Sequence, residues 1–93
     1  MAKKVNRVIV RTYSAGVHYG TLVSRKGREV VLADARRIWY WKGANTLHEI
    51  SLRGVGAGSK ISERVASITL TEAIEVIGCT KEAAANLDGA TWQ

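Results

Sequence analysis

The sequence predicts a β-rich α+β domain, a twisted antiparallel sheet or small open barrel of five or six strands with two short helices. Three observations carry this. Residues 5–41 are rich in β-branched and aromatic types and alternate with period two, broken only at Ser14-Ala15-Gly16, Lys26-Gly27 and Asp34. Two helix-start signatures, at Thr46-Leu47-His48-Glu49 and Thr80, stand in the second half. The 93 residues carry 46% hydrophobic and 24% charged side chains, ordinary proportions for one globular domain spanning 1–93.

The elements follow in order. Residues 5–13 form the first strand, with Asn6, Val8, Val10 and Thr12 on one face and Arg7, Ile9, Arg11 and Tyr13 on the other. Gly16 supplies a positive φ at the first turn, and Val17–Arg25 returns as the second strand. Lys26-Gly27 closes a two-residue hairpin into the third strand, Arg28–Ala33. Asp34 marks a bend or bulge before the fourth strand, Ala35–Trp41. Thr46 and Glu49 make a capping box for a short helix that stops at Gly54. Residues 54–60 hold three alternate glycines before Ser59-Lys60, a spacing that fits no phosphate-loop pattern and reads as a connector. Arg64–Thr71 is a fifth strand, 71–79 a further strand or rim segment, and Thr80 caps a last helix over Lys81–Leu87.

Chemistry concentrates in residues 34–43, which hold two of the three tryptophans and three of the fourteen basic residues. A regular strand puts Arg37, Trp39 and Trp41 on one face, and Arg36, Ile38, Tyr40 and Lys42 on the other. Two readings compete. Either the tryptophans fill a small core while the arginines snorkel to its edge, or the rings and guanidinium groups form a surface for a planar, phosphate-bearing ligand. Charge is also unevenly placed, with a balance of +8 in residues 1–46 and −2 in 47–93. One face is thereby suited to an anion.

Other classes find little support. No apolar run reaches the roughly 18 residues of a membrane span, and no signal-peptide centre follows Lys3-Lys4. Cys79, His18 and His48 lack metal-ligand spacing, and a lone cysteine makes no internal disulfide. The one cluster that could serve catalysis is Tyr13, Ser14 and His18 at the first turn, with Asp34 beyond. It matches no nucleophile-elbow or paired-acid pattern, so no enzyme activity and no cofactor are expected.

Val10-Arg11-Thr12-Tyr13-Ser14-Ala15-Gly16-Val17-His18-Tyr19-Gly20 and Ala35-Arg36-Arg37-Ile38-Trp39-Tyr40-Trp41-Lys42-Gly43-Ala44, with Leu70–Glu75 and Cys79-Thr80, resemble a family of small phage and prophage proteins of unknown function. The resemblance implies a viral origin and work in the host cytoplasm, and it brings no catalytic residues. Small phage accessory proteins often blunt host defences, some by sequestering signalling nucleotides in oligomeric pockets.

The expected function is therefore non-enzymatic capture of a small phosphate-bearing nucleotide. Trp39 or Trp41 stacks on the base, while Arg36, Arg37 or Arg11 pairs with phosphate. Tyr13 and Ser14 contact ribose or phosphate, and His18 touches the ligand at the turn. A nucleic-acid-binding module is the alternative, as is a protein that caps a host factor through Trp39 and Trp41. Unpaired strand edges and Trp92 in the tail point to a homo-oligomer.

Overall fold

The computed structural model describes residues 7–90. In chain order the elements are β1 (Arg7–Thr12), β2 (Val17–Lys26), β3 (Glu29–Tyr40), α1 (Leu47–Arg53), β4 (Lys60–Ile61), β5 (Val65–Leu70), β6 (Ala73–Gly78) and α2 (Lys81–Gly89). Val5 and Asn6 of the expected first strand, and Trp92, lie outside the described residues.

All ladders are antiparallel, along the path β4-β3-β2-β1-β6, with β5 also on β3. Thr71 and Glu72 alone separate β5 from β6, yet β5 pairs with β3 and β6 with β1. Two consecutive strands can reach both flanks of a meander only if the sheet curls. The result is an open barrel, the six-stranded α+β fold that the alternation implies. The corner is pinned on both sides: the Ala73 amide donates to the Arg28 carbonyl and the Tyr13 amide to the Glu72 carbonyl, each at 3.0 Å.

Alternation in the strands gives each face its own core. Inside the curl lie Val8, Val10, Val30, Leu32, Ala35 and Leu70. On the outer face Ile9, Tyr19 and Ile38 pack against Ile50 of α1 and Leu87 of α2. Each large side chain so buried contributes about 1.5–3 kcal/mol.

Residues 29–40 are one strand, not the two expected, and the bend at Asp34 is a bulge within it. Asp34 sits at φ 49°, and Tyr19 pairs with Arg36 while Thr21 pairs with Ala33. One extra residue on β3 therefore faces Gly20, which reverses the alternation. Val30 and Leu32 point into the curl before the bulge and Ala35 after it, so Arg36 and Ile38 turn to the helix face. A Cβ at Gly20 would lie 3.0 Å from the Ala33 carbonyl oxygen and 3.2 Å from Ala35 Cα, so the bulge crowds the position opposite it and glycine fits there without displacement. The hairpin turn is Gly27-Arg28, one residue later than the sequence implies, with Gly27 at φ 60°.

Both helix caps form as their residues dictate. Thr46 Oγ1 accepts from the Glu49 amide at 3.2 Å, while the Glu49 carboxylate reaches back to the Asn45 amide at 3.1 Å rather than to that of Thr46. Thr80 Oγ1 accepts from the Ala83 amide and donates to the Leu52 carbonyl, which ties α2 to the end of α1.

Candidate functional site

The bulge at Asp34 decides which arginine meets which environment. The β2–β3 ladder sets His18 opposite Arg37 and Tyr19 opposite Arg36. Arg36 faces the helices. Only 5% exposed, it donates to the carbonyls of Leu87 (2.7 Å) and Ala90 (2.6 Å) past the end of α2, and to that of Ser62 (2.7 Å). Longer contacts reach the Asp88 and Ile61 carbonyls. Burial, with the nearby Arg64 charge, lowers its pKa. The structure corrects its expected role: Arg36 is a buried clamp on orphan carbonyls, with its donors directed inward.

Arg37 has the opposite surroundings. It is exposed, and its Nε–H donates to His18 Nε2 at 3.4 Å. His18 is 2% exposed, and its Nδ1 is buried with no hydrogen-bond partner among the described residues. Burial first, then the Arg37 charge, lowers the His18 pKa to about 4, so the imidazole is neutral at pH 7. Because Nε2 is the acceptor, the ring proton resides on Nδ1.

These two residues line a cleft of about 230 Å³. Its other polar members are Ser62 and Glu63, its apolar walls Ala35, Val65 and Ile68, and Arg36 lines it too. Residues 62–63 are latched onto β3, since the Ser62 amide donates to the Arg37 carbonyl at 2.9 Å. Ser62 Oγ accepts from the Arg37 amide at 2.8 Å and donates to the Glu63 carbonyl at 3.0 Å. The Arg37 guanidinium beside an apolar wall suits a partly apolar anion, while the Glu63 carboxylate at the same cleft opposes a high negative charge.

The remaining expected site residues lie elsewhere. Arg11 is exposed and pairs with Glu75 at 3.3 Å. Tyr13, 79% exposed, and Ser14, whose hydroxyl donates to the Glu72 carboxylate, sit at the β5–β6 corner beside Arg28. Ser14 and His18 thus face different partners and make no dyad. Trp39 is 60% exposed at the end of β3, whereas Trp41 is half-buried against the helix-side core. The two tryptophans do not share a face, because β3 ends at Tyr40 and its register against β4 shifts after Ile38. In the glycine-rich connector the amides of Gly54, Gly56 and Ser59 donate to the Ile50, Lys42 and Gly56 carbonyls and that of Val55 to Asn86 Oδ1, so these amides are already engaged within the protein.

A second polar cluster has no counterpart in the sequence reading. Arg7 stacks over the Tyr19 ring at 4.3 Å, donates to its hydroxyl at 3.0 Å and meets the Asp88 carboxylate at 2.5 Å. Burial opposes the Arg7 charge, but Tyr19 and Asp88 outweigh it and its pKa is raised. Burial pushes the Tyr19 hydroxyl up to about 12 and the Cys79 thiol up to about 11. This cluster holds α2 to the sheet. Its partners are 12 to 81 residues apart, so no local spacing reveals it.

Among the described residues no group of His, Cys, Asp and Glu is placed to hold a metal ion, and no helix is long and apolar enough to cross a membrane. A family model described as Domain of unknown function (DUF6948) matches residues 5–87. No curated protein and no solved structure shows a significant match to the chain.

Proposed function

We propose, for a chain that belongs to the DUF6948 family of unknown function, that the His18–Arg37 cleft captures a small phosphate-bearing nucleotide without transforming it. One observation carries this reading. Arg37 gives its Nε–H to neutral His18 and has no ion pair among the described residues, so the fork of its two Nη groups is available to a ligand anion in the cleft. Trp39, 60% exposed two residues further along β3, lies outside the cleft's own lining and is the ring assigned to base stacking in this reading. The non-catalytic reading is supported within the cleft: the Ser62 hydroxyl donates to the Glu63 backbone carbonyl and is not paired with a base, while Ser14, bonded to the Glu72 carboxylate, lies away from the cleft.

The resemblance to small phage and prophage proteins supplies the context. The protein acts in the cytoplasm of an infected bacterium and lowers the free concentration of a host signalling nucleotide. Heat release from protein purified out of infected cells, followed by mass spectrometry, tests this. A phosphorylated nucleotide at near-stoichiometric yield is expected, and protein that releases none overturns the reading.

A nucleic-acid reading is favoured by Arg25, Lys26 and Arg28, all exposed around the β2–β3 turn. Salt titration separates the two. Contacts to several phosphates of a polymer give a steep salt slope, and one small ligand in a cleft gives a shallow one.

A further inference from the structure

Among the described residues β4, β5 and β6 each have an unpaired edge, and they differ in how that edge is guarded. β4 is two residues long, and β6 carries Glu75 in its middle. β5, Val65-Ala66-Ser67-Ile68-Thr69-Leu70, is six residues long with no charge and no proline. Among the described residues it pairs with β3 along one edge and with nothing along the other. Ala66, Ser67 and Thr69 are exposed, and Val65 is 46% exposed. Exposed edges in soluble proteins normally carry a charge, a proline or a bulge against chance pairing. β5 carries none.

We propose that β5 pairs antiparallel with β5 of a second copy of this chain, about a two-fold axis at Ile68. A two-fold perpendicular to the sheet keeps each side chain on its own face, so one residue must lie opposite itself. An axis at Ile68 sets Ser67 against the partner's Thr69 and Ala66 against the partner's Leu70. An axis at Ser67 instead sets Arg64 against the partner's Leu70. An axis at Thr69 leaves only Ile68, Thr69 and Leu70 of β5 facing the partner strand. The length of β5 and the charge at Arg64 thus select Ile68. Val65 and Ile68 are also walls of the His18–Arg37 cleft, so the second strand narrows its mouth and completes the site from two subunits. That last step rests on the cleft being a ligand site; the strand pairing does not.

The test uses the whole chain. Light scattering is expected to give twice the chain mass of 10.1 kDa for wild type, and Ser67→Lys with Thr69→Lys is expected to give the single-chain mass with unchanged circular dichroism. In a Cys79→Ala background, Ile68→Cys is expected to form an oxidised dimer in high yield and Ile74→Cys, on β6, to remain monomeric. Wild type of single-chain mass at 100 µM, or cross-linking at 74 but not at 68, overturns the proposal. A monomer that still releases a nucleotide on heating overturns this pairing and leaves the cleft reading in place. A cross-linked β5 dimer that carries no nucleotide supports the pairing and removes the cleft reading.

Discussion

His18 and Arg37 face each other across the β2–β3 ladder, and the buried imidazole accepts the Arg37 Nε–H through Nε2 at 3.4 Å. A histidine usually competes with an arginine for anions. Here burial keeps His18 neutral, so it serves as an acceptor that fixes the guanidinium instead of repelling it. The bond is long, at the weak end of the hydrogen-bond range. Orientation of the Arg37 fork, more than stability, is what it contributes.

Arg37→Ala should therefore fold as wild type does, with stability changed by no more than about 0.5 kcal/mol, as for most exposed positions. Binding is where the loss is expected. Calorimetry against a panel of cyclic mononucleotides and cyclic dinucleotides should show binding weakened by about 1.5–3 kcal/mol, the worth of hydrogen bonds to a charged group. Arg37→Lys should recover less than half of that, since an ammonium lacks the planar fork. Equal affinity in all three proteins would detach Arg37 from the site.

The same pair makes stability depend on pH. His18 titrates near 6.5 when unfolded and near 4 when folded. Between those values the unfolded chain takes up a proton that the native state refuses, so stability is whole above pH 6.5 and falls as pH drops towards 4. The loss amounts to at most about 3 kcal/mol. Urea unfolding at pH 7 and pH 5 should show part of it before the carboxylates titrate, and His18→Gln should flatten that interval. A variant as acid-sensitive as wild type would assign the dependence to other groups.

What the sequence made legible is what local chemistry specifies. Period-two alternation located the strands, Thr46 and Thr80 marked the helix starts, and Asp34 stood out because an acidic residue interrupts an apolar run. The phase of the alternation beyond Asp34 also placed Arg36 and Arg37 on opposite faces. Contacts between distant segments were not legible. Whether Arg36 meets solvent or the end of α2 depends on Leu87 and Ala90, more than 50 residues on, packing against β3. The separation of Trp41 from Trp39 depends on where β4 stops pairing. The hydroxyls of Tyr13 and Ser14 suit a phosphate or ribose, but the curl of the sheet places them at the β5–β6 corner, away from the His18–Arg37 cleft.

Gly16 offers a test of the first turn. It lies at φ 84°, its carbonyl accepts from the Thr12 amide and hydroxyl, and a Cβ there would touch nothing within 4 Å. Any cost of Gly16→Val is then conformational and not steric crowding. A loss of more than about 1 kcal/mol is expected from thermal melts, with Gly16→Asn milder because asparagine tolerates the left-handed region. Identical melting of Gly16→Val and wild type would show that the turn adopts another conformation.

Arg36→Ala is expected to behave as the reverse of Arg37→Ala. The guanidinium of Arg36 bonds the Leu87 and Ala90 carbonyls at the end of α2 and the Ser62 carbonyl beside β4. Truncation leaves these acceptors unpaired beside a core that includes Tyr19, Ile38, Ile61 and Leu87. Each buried group left unpaired costs about 1–3 kcal/mol, and water entering the gap recovers only part of it. A loss of at least about 3 kcal/mol follows, which for a domain this size lowers Tm by roughly 12 °C or more. Arg36→Lys should not rescue it fully, because one ammonium cannot span carbonyls on two sides. Amide exchange should localise the damage, rising first in α2 and in residues 60–62 while β1 and β2 stay protected. If Arg36→Ala melts normally and α2 exchanges as slowly as in wild type, the clamp contributes nothing to stability, and the sorting of the two arginines by the Asp34 bulge loses its energetic basis.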